Sequence, residues 1–140
     1  MHNIWIADDD EAIRIVLEEG LKSSDLAITT FANGESLIEA LNEDQPDLII
    51  SDIKMPGIHG YDLLKHIKNN HEKIPVIIMT AFTDMQAAID AYGGGAFEYI
   101  PKPFDLDEAL QIVNRALEEN KLPTPKKIFK SEIIGSAPSM

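Results

Sequence analysis

The sequence predicts an α/β fold: a doubly wound, five-stranded parallel sheet covered by five helices. Three observations predict it. Short β-branched runs alternate five times with segments of helical period. Two of the runs, "PDLIISD" (46–52) and "PVIIMTA" (75–81), are apolar at consecutive positions, as strands read when helices cover both faces of a sheet. Most of the runs end in, or are followed by, carboxylate, hydroxyl or ammonium side chains, and open doubly wound sheets collect their chemistry at the carboxyl ends of the strands.

In chain order, "NIWIA" (3–7) is the first strand, and Trp5 within it is a core residue. "DEAIRIVLEEGL" follows as a helix with Ile13, Val16, Leu17 and Leu21 on one face, and Asp10 is placed to cap it. "LAITTF" (26–31) is the second strand. "NGESLIEALNE" is a short helix with Leu37, Ala40 and Leu41 inward, and Gly34 is read as a turn glycine. The third strand ends at Asp52, and Gly57 marks the turn after it. A helix near 60–70 turns Leu63, Leu64 and Ile67 to the core. After the fourth strand, Thr83 and Gln86 make a capping box for a helix over 83–92. "FEYI" (97–100) is the fifth strand. "DLDEALQIVNRALEE" then forms the last helix, opened by Asp105 and Glu108 and facing the core with Leu106, Ala109, Leu110, Val113, Ala116 and Leu117.

The chain has 140 residues, 44% of them apolar, enough for one domain with a proper core. No apolar run is long enough to span a bilayer, no secretory signal is visible, and the absence of cysteine excludes a disulfide framework. A net charge of −12 argues against direct contact with nucleic acid. That charge is uneven. Residues 121–140 hold Lys121, Lys126, Lys127 and Lys130 against Glu132, which is +3 and leaves −15 for the first 120. Pro123 and Pro125 stand at the same break. The boundaries drawn are therefore a domain over 1–120 and a linker segment over 121–140.

If the strand order is 2-1-3-4-5, strands one and three are neighbours, and Asp8, Asp9 and Asp52 then converge. Clustered carboxylates repel, and without a cation at least one pKa would rise. Oxygen ligands with few protein contacts suit Mg²⁺. Lys102 arrives from strand five and Thr80 brings a hydroxyl from strand four. Metal and lysine would neutralise an incoming phosphoryl group, and Asp52 would be the nucleophile. Taken singly, each residue has a plainer reading. Asp10 is a helix cap, Asp52 could open a turn, Thr80 is a strand residue and Lys102 a solvated lysine. The joint placement at four strand ends favours chemistry. His2, His59, His66 and His71 lack metal-site spacing and read as surface residues.

"IADDD", "DLIISDIKMPGIHGYDLL", "VIIMTA" and "YIPKPF" resemble, in full order over residues 3–119, the signature of response-regulator receiver domains. The resemblance implies a flavodoxin-like (CheY-like) fold, with strand order 2-1-3-4-5 and five helices, and Asp52 as phosphoacceptor. Asp8 and Asp9 are implied to hold Mg²⁺ with the backbone carbonyl of Lys54, and Thr80 and Lys102 to contact the phosphoryl group. Tyr99 matches the family's switch aromatic. "PVIIMTAFTD", "GAFEYIPKPFD" and "EIIGSAPSM" are most similar to the nitrogen-regulator NtrC type, whose receiver precedes an AAA+ ATPase domain and a DNA-binding domain. That implies a cytoplasmic two-component protein phosphorylated by a sensor histidine kinase. Residues 121–140 would be the linker and the start of the ATPase. DNA and sigma-54 RNA polymerase would be reached only through domains beyond this chain. No Walker motif is present, and the chain is expected to be a signalling domain rather than an enzyme.

The expected output surface is Phe82, Met85, Ile89 and Tyr92 on the fourth predicted helix, offered to the ATPase or to a second receiver. Gly93 to Gly95 follow that helix. Gly95 is explained as a left-handed residue closing it, and Gly93 and Gly94 are surplus, either a solvated turn or a frayed helix end that lets the helix shift. Two other functions weigh less. An aspartyl phosphatase on a similar fold needs a second aspartate two residues after the nucleophile, where Lys54 stands. A flavodoxin needs a phosphate loop after strand one, where "DDDEA" has the wrong charge.

Overall fold

The computed structural model of the chain describes residues 2–23, 25–55, 57, 58, 60–84, 86, 89, 95–102 and 104–121. Five strands run as β1 (His2–Ala7), β2 (Leu26–Phe31), β3 (Leu48–Asp52), β4 (Val76–Ala81) and β5 (Glu98–Lys102). Between and after them lie α1 (Glu11–Leu21), α2 (Gly34–Leu41), α3 (Gly60–Asn70) and α4 (Leu106–Lys121), with a 3-10 turn at Phe82–Asp84. The sheet is parallel throughout and ordered β2-β1-β3-β4-β5, as expected from the sequence.

Period-two alternation sorts the strands between two cores. Ile4, Ile6, Ile50, Ile77 and Ile100 face α1 and α4, where Leu17, Leu21 and Val113 meet them. Trp5, Ile49 and Ile78 face α2 and α3, against Leu37, Leu63 and Ile67. Trp5 also packs its ring on Phe31, with centroids 5.2 Å apart. Burial on both faces is why β3 and β4 read as unbroken apolar runs. β5 lies at the sheet's edge, where Pro101 costs no ladder bond to a further strand.

Helix starts follow their caps. The Asp10 side chain accepts the Ala12 amide at 2.9 Å, and Asn33 accepts the Ser36 amide at 2.8 Å. Asp105 takes the Asp107 amide at 2.8 Å at the start of α4.

Several local expectations are corrected. Val16 is 43% exposed, because the buried stripe of α1 runs through Ile13, Leu17 and Leu21 and leaves Val16 on its flank. Gly34 is the buried first residue of α2 rather than part of a turn. Gly95 is not left-handed: among the described residues positive φ occurs at Gly57 alone, at 80°. A Cβ there would meet the Leu64 side chain at 3.3 Å, a tight contact. β5 extends to Lys102, so the lysine is part of the strand. Thr83 lies inside the 3-10 turn, and Gln86 and Ile89 are helical. The rest of the predicted fourth helix, with Met85, Tyr92, Gly93 and Gly94, lies outside the described residues, as do residues 122–140. Among the described residues no helix is long and apolar enough to cross a membrane.

Candidate functional site

The register decides which strand-end residues meet. Ala7 lies beside Ser51, so Asp8 and Asp52, each one residue further, end neighbouring strands. Asp52 lies beside Met79, and Ala81 beside Lys102. By alternation Asp8, Asp52 and Lys102 project on the α1/α4 face. Thr80 and Tyr99 project on the other.

The Lys102 ammonium bridges the pair, 3.0 Å from Asp8 Oδ2 and 3.3 Å from Asp52 Oδ1. Asp8 is held at every polar atom. Its Oδ1 accepts the Asp10 amide at 2.9 Å, and its carbonyl accepts Arg14 Nη1 at 2.7 Å. Its own amide donates to the Phe31 carbonyl at 3.1 Å. Asp8, Asp52 and Thr80 are all buried, whereas Asp9 is exposed and completes the cluster from the solvent side. Carboxylate oxygens of the three aspartates lie within 4.8 Å of one another.

The electrostatics are those of too few positive charges. Burial, and then the charge of Asp8, raise the Asp52 pKa above its ordinary value, and Lys102 offsets only part of this. For Lys102, burial pulls the other way, but the hydrogen bond to Asp8 and the charges of both aspartates hold its pKa above the ordinary lysine value. The lysine therefore stays protonated while serving two buried carboxylates. The donor set of hard oxygens with an excess of negative charge fits a divalent cation of the Mg²⁺ type. Thr80 Oγ1, fully buried, has no hydrogen-bond partner among the described residues, so an unused hydroxyl stands at the end of β4.

The backbone around Asp52 is tightly packed. Ser51 Oγ donates to the Asp52 carbonyl at 2.9 Å, and the Gly60 amide donates to Ile53 O at 2.9 Å. A Cβ at Gly60 would fall 2.7 Å from Ile53 Cα, so only glycine lets α3 start this close to β3. Lys54 turns its side chain to Asp84 at 3.0 Å. Tyr99 is half-buried against the α2/α3 core, and burial raises its pKa. Of the expected output residues, Ile89 is 38% exposed. The side chains of Phe82, Met85 and Tyr92 lie outside the described residues. Sequence reasoning misses Arg14 and Asp84. The signal for Arg14 is its place one helical turn past the Asp10 cap, where its side chain can reach back to the strand end.

Residues 4–114 match the model of the response regulator receiver domain. The chain belongs to that family. Over 142 residues this receiver is 49% identical to the DNA-binding transcriptional regulator NtrC of Escherichia coli K12, covering 98% of this chain and 30% of that protein. It therefore spans under a third of the curated relatives it matches. The apo receiver domain of nitrogen regulatory protein C, solved in solution, superposes with a TM-score of 0.76 at 51% identity, covering 84% of this chain and 95% of that one. NtrX from Brucella abortus, solved with ADP, gives 0.81 at 28% identity over 97% of this chain and 31% of that one. The receiver is thus of the NtrC type.

Proposed function

We propose that Asp52 is the phosphoacceptor of this receiver, with a Mg²⁺ ion held by Asp8, Asp9, Asp52 and the backbone carbonyl of Lys54. The observation that carries the reading is one ammonium shared by two buried carboxylates at adjacent strand ends, with an unpartnered hydroxyl at the next strand. The cation, when bound, neutralises charge on the transferring group. The chain's own residues do the rest. An Asp52 carboxylate oxygen attacks phosphorus, the bond to the donor nitrogen of a sensor histidine kinase breaks, and an acyl phosphate forms on Asp52. Lys102 stabilises the phosphoryl oxygens by charge. Thr80 supplies a hydrogen bond, and in doing so draws the end of β4 toward the site. Attack by water on phosphorus later releases phosphate and restores the carboxylate, so transfer and hydrolysis are slow, self-catalysed steps rather than turnover of a substrate.

The switch couples through the opposite face of the sheet. Thr80 and Tyr99 share that face, so a shift of Thr80 opens space for Tyr99 and re-presents the surface that includes Phe82, Met85, Ile89 and Tyr92. Its receiver is an attached AAA+ domain or a second receiver, and residues 121–140 form the connection. The relatives are DNA-binding transcriptional regulators, which supports a cytoplasmic role in transcription control, with DNA and sigma-54 RNA polymerase engaged by other domains. The test is incubation with Mg²⁺ and acetyl phosphate followed by mass spectrometry. One added phosphoryl group, lost slowly and absent in Asp52→Asn, is expected. Stoichiometric labelling of that variant refutes the assignment, and continuous release of phosphate points to a phosphatase instead.

A further inference from the structure

Glu35 lies outside the acidic cluster and takes no part in the reaction above. It is the second residue of α2, and its Oε2 accepts the Ile58 amide at 3.2 Å. The two glycines beside this bond make it possible. A Cβ on Gly57 would lie 2.9 Å from the Glu35 carboxyl carbon, and Gly57 has the left-handed φ of 80°. A Cβ on Gly34 would approach Ile58 Cβ to 3.3 Å. The first turn of α2 thus sits directly against Gly57 and Ile58, in the connection between β3 and α3.

That connection leaves Asp52 and contains Lys54. Its far end is tied back by the Gly60 amide on Ile53 O. Its middle is tied by Glu35. A cavity lined by Asp9, Asn33, Glu35, Ser36, Gly57 and Ile58 opens between these elements, so the contact adjoins the solvent-side ligand of the cluster.

We propose that Glu35 is a positioning residue for the cation site: by holding the Ile58 amide it fixes the segment that contains Lys54, whose backbone carbonyl is a ligand in the cation reading. This rests on the cation reading given above. The competing explanation is local, since an acidic residue in the first turn also favours a helix through its charge. The two differ in what glutamine does. Glu35→Gln loses the charge but keeps an acceptor oxygen, whereas Glu35→Ala loses both.

Two measurements on wild type and both variants decide: exchange of the Ile58 amide by NMR, and the Mg²⁺ dissociation constant by calorimetry. Glu35→Ala is expected to speed Ile58 exchange and to raise the dissociation constant about threefold, the size of one modest hydrogen bond. Glu35→Gln is expected to stay with wild type on both. An unchanged dissociation constant in Glu35→Ala overturns the proposal, and so does a glutamine variant that behaves like alanine, which assigns the effect to charge. A wild-type chain that binds no Mg²⁺ overturns the cation reading itself. Normal wild-type binding beside an unaffected alanine variant overturns the positioning role alone.

Discussion

Ile50 and Asp52 are two residues apart on β3, on the same face of the sheet, and almost equally buried at 1% and 7% exposure. Ile4 and Ile6 on β1, and Asp8 just past its end, repeat the arrangement, all at 0%. In the middle of the sheet burial removes apolar surface from water and stabilises the fold. One pleat further the same burial strips a carboxylate of water and costs stability. The lesson is that this sheet is not uniformly optimised. Its middle holds the molecule together, and its carboxyl edge holds charges that the fold alone does not satisfy.

Substitutions on the two sides of that boundary should move stability in opposite directions. Asp52→Asn is expected to abolish phosphorylation while raising the melting temperature of the metal-free protein by a few degrees. Ile50→Ala, on the same strand, should destabilise by about 2–5 kcal/mol through the cavity it leaves. A metal-free Asp52→Asn variant that melts below wild type would break the contrast.

The pH dependence has a fixed sign. The Asp52 pKa is raised in the folded state, so its neutral form is the one the fold prefers. That preference favours folding at pH below the unfolded carboxylate value and is lost as pH rises through the raised folded value. The advantage of Asp52→Asn over wild type should therefore be full above the raised folded pKa and shrink on acidification through it. Thermal melts of both proteins in chelator across that range check it.

Lys102→Ala removes the ammonium from both carboxylates. Metal-free stability should fall by about 1–3 kcal/mol, part of the cost of breaking a buried pair, and Mg²⁺ should recover most of it. Equal destabilisation with and without Mg²⁺, in denaturant titrations, would separate the lysine from the cation. The smallest effect concerns Thr80. Replacing an unpartnered buried hydroxyl with a methyl, as in Thr80→Val, should stabilise the unphosphorylated protein by ~1 kcal/mol. It should also uncouple Asp52 phosphorylation from NMR shifts at Tyr99. A loss of stability would mean that the hydroxyl has a partner after all.

Sheet order and the residues of the cluster were legible because both leave strong patterns: unbroken apolar runs in β3 and β4, and polar residues at strand ends. What sequence hides is tertiary proximity. Val16 fits the helical period of α1 as well as Ile13 does, and only the placement of the neighbouring helix decides which is covered. Gly34 and Gly95 read as turn or helix-end glycines, but a Cβ there would press on Ile58 and Leu64, as one at Gly60 would clash with Ile53. Glu35 reads as an ordinary first-turn acid, since its partner Ile58 is 23 residues away.

The place of β1 in the sheet also has a consequence for biosynthesis. β1 leaves the ribosome before the other strands of the sheet, yet one of its neighbours, β3, ends at Asp52. At about 5–20 residues per second, the strand waits roughly 2–9 s for the partner that covers its second edge. During that interval the edge of β1 that β3 covers in the finished sheet is open to pairing with another molecule. Asp8, Asp9 and Asp10 follow them immediately, and three like charges at the end of so short a strand disfavour stacking between nascent chains. The acidic run at the carboxyl end of β1 is thus expected to hold nascent chains apart while the protein is being made.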